Sequence, residues 1–273
     1  MTDQVSEERR KRMKNRKMQR VFQGRKQKKV QEQTMEQNSK TGTEEEDRKR
    51  RSNEKNLTEL VFLLDRSGSM RGLEADTIGG FNSLIEKQKK EEGDAVISTV
   101  LFDDHQELIH DRVSLHKIPL MTEEQYYVRG CTALLDALGD AISRIGTVHQ
   151  YAREEDRPHK TLFIITTDGM ENASRRYSYD RVKQLVEQKK EIGWEFLFLG
   201  ANIDAIEVAG RFGIQEDRAV NFECDSRGTQ LNYDVISRAV CKVRSCQSSV
   251  QMSEALGRGW KEEIERDYQT RHR

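Results

Sequence analysis

One segment of the sequence places a carboxylate and two hydroxyls at alternate positions, directly after a short apolar run. Residues 60–64 form the run, and Asp65, Ser67 and Ser69 follow it. Carboxylate and hydroxyl oxygens, together with water, are the hard ligands that Mg²⁺, Mn²⁺ and Ca²⁺ prefer. The pattern therefore indicates a divalent-cation site, although Asp and Ser are also ordinary turn residues.

Two later segments add further oxygen ligands to this pattern. Thr132 follows Gly130 at the start of an apolar-periodic stretch that is typical of a helix, and Asp168 ends a second apolar run at residues 163–167. Ligands in an open α/β sheet bind outside the carboxyl ends of the strands. If both apolar runs are parallel strands, their ends and the loop before the helix meet at one edge of the sheet.

Strand and helix signals alternate from residue 59 onward, which is the pattern of a mainly parallel sheet. Apolar runs predict strands at 59–65, 95–102, 161–167, 195–199 and 219–222, and residues 107–115 predict an antiparallel edge partner. Helical spacing predicts helices at 74–91, 132–145, 179–191, 204–212 and 228–244, with a polar loop at 146–160. The predicted fold is α/β, a doubly wound and mainly parallel central sheet with one antiparallel edge strand and helices on both faces.

The three oxygen-bearing segments, in this order, resemble the metal-ion-dependent adhesion site (MIDAS) of the von Willebrand factor type A (VWA) domain. The resemblance covers roughly residues 57–245, and it includes all five positions of the family's motif: Asp65, Ser67, Ser69, Thr132 and Asp168. It implies the Rossmann-like VWA fold. The alternative is a doubly wound sheet whose strand-end Asp and Ser residues serve only as caps and turns.

The resemblance also implies how these residues act. The hydroxyls of Ser67, Ser69 and Thr132 contact the metal in such a site, while Asp65 and Asp168 work mostly through waters and hydrogen bonds that orient the hydroxyls. Mg²⁺ is the expected ion, with Mn²⁺ or Ca²⁺ as alternatives. In the family, an acidic residue of a partner protein completes the coordination. The chain is therefore expected to be a metal-dependent protein–protein interaction module whose partner presents an Asp or Glu, and not an enzyme.

Other polar residues follow the predicted strands, and the sequence leaves their role open between the rim of the site and ordinary loop capping. They are Asp103, Asp104, His105, Glu171, Asn172, Asn202 and Asp204. His105 has no Cys or second His at ligand spacing, so a zinc site is not expected there. Asp136, one turn after Thr132, is expected on the solvent face of its helix.

Two alternative functions have weaker support. A Mg²⁺-dependent phosphohydrolase of the haloacid-dehalogenase type also begins with a strand-end Asp, but that family needs a second Asp two residues later, where this sequence has Ser67. The sequence also contains no G-x-S-x-G elbow, no G-x-x-x-x-G-K-[ST] phosphate loop and no strand-linked G-x-G-x-x-G. A nucleic-acid-associated scaffold that acts through a basic N-terminal arm is the other alternative.

Charge is unevenly distributed along the 273 residues. Residues 1–56 hold 18 of the 47 Lys and Arg residues but only 10 of the 47 Asp and Glu residues, so an arm of net charge +8 precedes a body of net charge −8. Between Arg9 and Lys29 there are twelve basic residues and no acidic one. Such a block can bind nucleic acid through phosphate contacts. Because it lacks interleaved aromatic residues, a disordered or loosely helical arm is favoured.

The rest of the chain divides into two predicted parts. Residues 57–245 form the VWA-like domain, and residues 246–273 form a polar tail. In the tail, Trp260, Ile264 and Tyr268 at four-residue spacing indicate a short helix packed on the domain.

Cysteine usage and hydropathy predict the compartment. None of the four cysteines, Cys131, Cys224, Cys241 and Cys246, has a metal-type spacing, and all are expected to be reduced. No apolar stretch reaches the ~18 residues of a membrane span. The N-terminal charges are not followed by the apolar core of a secretory signal. A cytoplasmic location is expected.

Overall fold

Strands alternate with helices along the part of the chain that the structure describes. The structure is a computed structural model, and it describes residues 56–272. The predicted N-terminal arm, except for Asn56, and its basic block at residues 9–29 lie outside the described residues.

Six strands form one sheet in the order β3-β2-β1-β4-β5-β6. They are β1 (Thr58–Asp65), β2 (Ala95–Phe102), β3 (Gln106–Ser114), β4 (Lys160–Thr167), β5 (Trp194–Gly200) and β6 (Ala219–Asn221). Neighbouring strands are parallel except for β2 and β3, which pair antiparallel at the edge. The predicted α/β fold, a doubly wound and mainly parallel sheet with one antiparallel edge strand, is confirmed.

Helices cover both faces of this sheet. Within residues 56–272 they are α1 (Glu74–Gln88), α2 (Leu134–Tyr151), α3 (Tyr179–Glu191), α4 (Ala205–Arg211), α5 (Ser226–Ser245), α6 (Ser249–Ala255) and α7 (Glu262–Arg271). None of these helices is both long and apolar enough to cross a membrane.

The side chains of β1 alternate between two core layers. Leu60, Phe62 and Leu64 pack in a cluster with α1 and α5, whereas Val61 and Leu63 pack in a second cluster with α2, α3 and α4. Successive side chains of a strand point to opposite faces. Because helices bury both faces, β1 is a continuous apolar run rather than an alternating one.

The register of the sheet aligns the ends of three strands. Asp65, the last residue of β1, is paired with Phe102 at the end of β2, and Leu64 is paired with Thr166 near the end of β4. The segments that leave β1, β2 and β4 therefore emerge side by side at one edge of the sheet.

Helix α2 is longer than the sequence predicted. The prediction ended this helix at residue 145 and assigned a polar loop from 146, but the helix continues to Tyr151. In its last turns, Nε2 of His149 lies 2.6 Å from Oε2 of the buried Glu59, and the His149 ring packs against Trp194. These contacts join distant parts of the chain, so apolar periodicity does not reveal them.

Residues of the C-terminal tail belong to the core. Met252, Leu256, Trp260 and Ile264 are buried in the same cluster as α1 and α5. Trp260 lies in a turn before α7, and its Nε1 donates a hydrogen bond of 2.8 Å to the carbonyl of Asp217. Residues 246–273 are polar in overall composition, but these four apolar side chains anchor the segment to the core.

Candidate metal centre

Asp65 ends β1 with its carboxylate held by two neighbours. Its Oδ1 accepts a hydrogen bond of 2.7 Å from the N–H of Ser67, and its Oδ2 accepts one of 2.6 Å from Oγ1 of Thr167 at the end of β4. Asp65 is only 1% exposed. The carboxylate is therefore fixed between the ends of two adjacent strands.

The two serines of the first loop connect to the carboxylate of the third. Oγ of Ser67 lies 3.2 Å from Oγ of Ser69, and Oγ of Ser69 donates a hydrogen bond of 2.6 Å to Oδ1 of Asp168. A hydroxyl has one proton and two lone pairs. Because the Ser69 proton is directed to the carboxylate, Ser67 is the donor in its contact with Ser69, and one lone pair of the Ser69 hydroxyl stays free to bind a cation.

The hydroxyls of Thr132 and Ser69 both lie close to Gly169. A Cβ atom on Gly169 would lie 3.2 Å from Oγ1 of Thr132 and 3.4 Å from Oγ of Ser69. The backbone of Thr132 is held by Asn172, whose Oδ1 accepts from the Thr132 N–H at 2.9 Å and whose own N–H donates to the Thr132 carbonyl at 3.0 Å. The two hydroxyls thus border a space that exists because residue 169 has no side chain.

All five sequence-predicted residues are therefore brought together at one edge of the sheet. Asp65, Ser67, Thr132 and Asp168 are each at most 3% exposed, and Ser69 is exposed. Their oxygens come from the segments after β1, before α2 and after β4, as the alternation of strands and helices predicted. Whether these oxygens bind a metal stays a prediction.

The two carboxylates of this cluster carry charge without a counter-ion. Neither Asp65 nor Asp168 makes an ion pair with any of residues 56–272. Burial raises the pKa of Asp65 from 3.8 to about 6, against the opposing effect of its hydrogen bonds from Thr167 and Ser67. Burial also raises the pKa of Asp168. Burying unpaired charge is costly, so two such carboxylates beside three hydroxyls fit a divalent cation.

The neighbouring arginine turns away from this cluster. The Arg66 side chain is fully buried, and its Nε donates to Oδ2 of Asp103 at 2.8 Å while its Nη1 donates to Glu107 at 2.8 Å. Nε of Arg129 donates to the same Asp103 oxygen at 2.8 Å. The guanidinium of Arg66 therefore does not fill the space between the carboxylates and hydroxyls.

This ion network joins the loops that carry the predicted ligands. The N–H of Arg129 donates to the carbonyl of Arg66 at 2.9 Å, and the N–H of Ala133 donates to the carbonyl of Asp103 at 2.9 Å. The loop of Ser67 and the loop of Thr132 are thus tied to the end of β2 by both charged side chains and backbone hydrogen bonds.

Two of the polar residues that follow the strands bind backbone N–H groups. Glu171 accepts hydrogen bonds from the backbone N–H groups of Leu135, Ala173 and Ser174, and Asp204 caps α4 by accepting from the N–H of Glu207. These observations agree with the capping alternative for both acidic residues.

The residues after β2 form a compact polar group. Nδ1 of His105 lies 3.3 Å from Oδ2 of Asp104 and 3.8 Å from Oδ1 of Asp103, close enough for the three to share an ion. However, Asp103 already accepts from Arg66, from Arg129 and from the N–H of His105. The two neighbouring guanidinium groups disfavour a cation at this position.

The expectation for Asp136 is wrong. This residue is 7% exposed rather than on the solvent face. Its carboxylate accepts hydrogen bonds from the N–H groups of Arg175, Arg176 and Tyr177 at 2.9–3.0 Å. It therefore ties the loop after Asp168 to α2, a role that depends on a contact 39 to 41 residues away.

Sequence reasoning missed the residues that support the predicted ligands. For Thr167 the apolar run predicts only a place in a strand, and no pattern in the sequence singles out Gly169 or Arg66. Asn172 was noted as a polar loop residue. Its position four residues after Asp168 gave no sign that it would hold Thr132.

A side chain at residue 169 is expected to weaken metal binding without unfolding the protein. In Gly169→Ala the new Cβ, 3.2 Å from Oγ1 of Thr132, displaces the hydroxyls by a few tenths of an ångström, whereas ligand distances must hold within about 0.2 Å. We expect about a tenfold loss of Mg²⁺ affinity in calorimetry. Gly79→Ala, where nothing lies within 4 Å of the added Cβ, is the control. Equal Mg²⁺ affinity of both variants would show that the open space at Gly169 is not used.

Comparisons with known proteins identify neighbours in fold only. No family model matches the sequence, and no curated protein matches it significantly. Proximal thread matrix protein 1 of the mussel byssus, in a structure with a zinc-occupied MIDAS motif, is 14% identical with a TM-score of 0.46, over 68% of this chain and 46% of its own. The open conformation of the pilus adhesin SpaC from Lactobacillus rhamnosus GG is 10% identical with a TM-score of 0.48, over 68% and 30%.

This chain thus spans less than half the length of either neighbour.

Proposed function

We propose that this protein is a metal-dependent protein–protein interaction module of the VWA type. In this proposal Mg²⁺, or Mn²⁺, is held by the cluster of Asp65, Ser67, Ser69, Thr132 and Asp168. The observation that carries the proposal is the pair of buried carboxylates without an ion-pair partner among residues 56–272, joined by hydrogen bonds to the hydroxyls of the cluster.

The roles of the five residues follow from their hydrogen bonds. Asp168 accepts a hydrogen bond from the Ser69 hydroxyl, which leaves one lone pair of that hydroxyl for the metal, and Asp65 fixes the loop by accepting from the N–H of Ser67. The carboxylates thus orient the neutral ligands as well as balance the charge. Mg²⁺ keeps several waters when protein ligands are few. When bound, it supplies a Lewis-acidic position that takes a carboxylate oxygen from a partner.

A binding role is favoured over phosphoryl transfer. Each oxygen of Asp65 accepts a hydrogen bond, from Ser67 and from Thr167, which suits a residue that orients its neighbours. The position two residues later, where a general acid would stand, is Ser67, and its hydroxyl lies against Ser69. We therefore propose that the protein is not an enzyme. A cytoplasmic location, consistent with four free cysteines, is part of the same proposal.

Metal binding is tested by thermal unfolding with and without Mg²⁺. A ligand present at 100 times its Kd stabilises a folded protein by about 2.7 kcal/mol. We expect such a shift for the natural protein and for the control Asp180→Asn, in which an exposed Asp in the first turn of α3 is changed. Asp65→Asn removes one of the two compensating charges and is expected to lose most of the shift. Equal stabilisation of all three proteins by Mg²⁺ would contradict the assigned site.

Partner binding is tested by affinity purification from the native cell in Mg²⁺. Recovery of bound proteins is expected to fall when a chelator is added and when Asp65→Asn replaces the natural protein, but not with Asp180→Asn. Partners that are recovered equally under all these conditions do not use the metal, and the proposal would then be wrong.

A further inference from the structure

A polar groove lies beside Thr132 and is lined by neighbours of the proposed metal ligands rather than by the ligands themselves. Its volume is about 930 Å³. Residues on both sides of Thr132 line it, together with residues after β2 and after β4: Asp104, His105, Cys131, Ala133, Asn172 and Arg175. Because Asn172 makes two hydrogen bonds to the backbone of Thr132, this wall of the groove is continuous with the candidate metal centre.

Most charges on the α2 side of the groove are already paired. Asp136 accepts three backbone N–H groups, and Asp140 forms an ion pair of 2.6 Å with Arg176. Arg175 differs from these residues. Its backbone N–H donates to Asp136, but its side chain is exposed and forms no hydrogen bond or ion pair with the described part of the chain. The available charge on this wall is therefore positive.

The part of the groove that is formed by residues after β2 has the other sign. Asp104 is half exposed there, and His105 is its close neighbour. An acidic group in the groove is thus attracted toward Arg175 and repelled from Asp104. A bound acidic segment is therefore expected to lie nearer Arg175 than Asp104. Because the proposed metal is at one end of the groove, one chain direction of the bound segment is favoured.

We propose that the partner segment carries two acidic residues, one for the metal and one for Arg175. This inference rests on the proposed function, because the first carboxylate is the one that the metal binds. Asn172, beside Thr132, and Arg175 are three residues apart, a separation of at most about 10 Å. An extended peptide advances about 3.3 Å per residue. The backbone separation thus corresponds to about three residues of an extended peptide, and the length of the Arg175 side chain widens the expected separation of the two acidic residues to about two to five positions.

The inference is tested by selecting peptides from a random dodecapeptide library in Mg²⁺. The natural protein is expected to enrich peptides with two acidic residues at this spacing. The Arg175→Glu variant is expected to enrich peptides that keep one acidic residue but lack the second, or that carry a basic residue in its place. Arg181→Glu, which reverses an exposed charge on α3 away from the groove, is the matched control and is expected to select as the natural protein does.

Single peptides then give the size of the effect. Changing the second acidic residue to its amide is expected to weaken binding to the natural protein by about two- to fivefold, as for exposed ion pairs. The same change is expected to have no effect on Arg175→Ala.

The outcomes separate this inference from the proposed function. Peptides with one acidic residue, bound only without chelator and equally well by Arg175→Ala, would overturn the role of Arg175 and leave the metal-dependent module intact. A selection without acidic residues, or one that a chelator does not change, would overturn both.

Discussion

Replacing Arg66 by methionine is expected to lower the free energy of unfolding by about 3 kcal/mol. The side chains of Arg66 and Asp103 are both fully buried and lie 2.8 Å apart. Removing one member of such a pair leaves the other charge buried. The loss falls at the lower end of the range for buried pairs because Arg129 still donates to Asp103.

A surface pair of the same type provides the control for this measurement. Arg144 pairs with Asp111, and both side chains are about half exposed. Arg144→Met is therefore expected to cost less than about 1 kcal/mol in denaturant unfolding. If Arg66→Met were as mild as Arg144→Met, the network around Asp103 would not be a structural element.

The Arg66→Met variant is also expected to reduce metal affinity, because Arg66 lies inside the loop of the proposed ligands.

A double-mutant cycle that combines Arg66→Met with Asp103→Asn separates the energy of this pair from that of its surroundings. If the two residues act together, the double variant loses less stability than the sum of the single variants. Full additivity would show that they act independently.

Much of this fold is readable from the sequence because its strands are buried on both faces. β1 and β4 are continuous apolar runs that end in polar residues, so the runs predict both the strand and the position of its end. The parallel register then brings Asp65 and the residues after Thr167 to one edge. The grouping of the five predicted ligands follows from this register and from the local order of the motif.

Other features depend on contacts that no local pattern encodes. The last turns of α2 are polar in sequence but are held by Glu59, which lies 90 residues from His149. Asp136 is buried by backbone N–H groups of a loop about 40 residues away. Each of these contacts satisfies the hydrogen-bonding capacity of one buried polar group. Neither hydrophobic periodicity nor turn composition in the sequence indicates which residues make them.

Arg66 shows the same limit within the motif. Its neighbours Asp65 and Ser67 are predicted ligands, and the sequence does not tell on which side of the loop a charged side chain at position 66 lies. The answer comes from Asp103, at the end of another strand, which draws the guanidinium away from the carboxylates. Asp103, which lies outside the cluster of predicted ligands, thus keeps the Arg66 guanidinium out of the space beside Asp65 and Asp168.

The metal-free protein is expected to become more stable relative to Asp65→Asn as the pH falls from 7 to 4. Burial raises the pKa of Asp65 in the folded state to about 6, above its ordinary value of 3.8. The stability contributed by this group is therefore fully present below pH 3.8 and is lost as the pH rises through about 6. The two pKa values correspond to about 3 kcal/mol, an upper figure for the whole difference.

Asp65→Asn isolates this titration, because the amide keeps the shape of the side chain and can pair with both Ser67 and Thr167. In chelator at pH 7 the variant is expected to be more stable than the natural protein, and near pH 4 the difference is expected to vanish. Mg²⁺ at 100 times its Kd is expected to offset most of that difference at pH 7, since a bound cation compensates the ionised carboxylate that Asn lacks. Denaturant unfolding at several pH values, with and without Mg²⁺, measures both effects. A natural protein that is the more stable one at pH 7 without metal would mean that Asp65 has a counter-charge within the chain, and the cluster would then have no need of a cation.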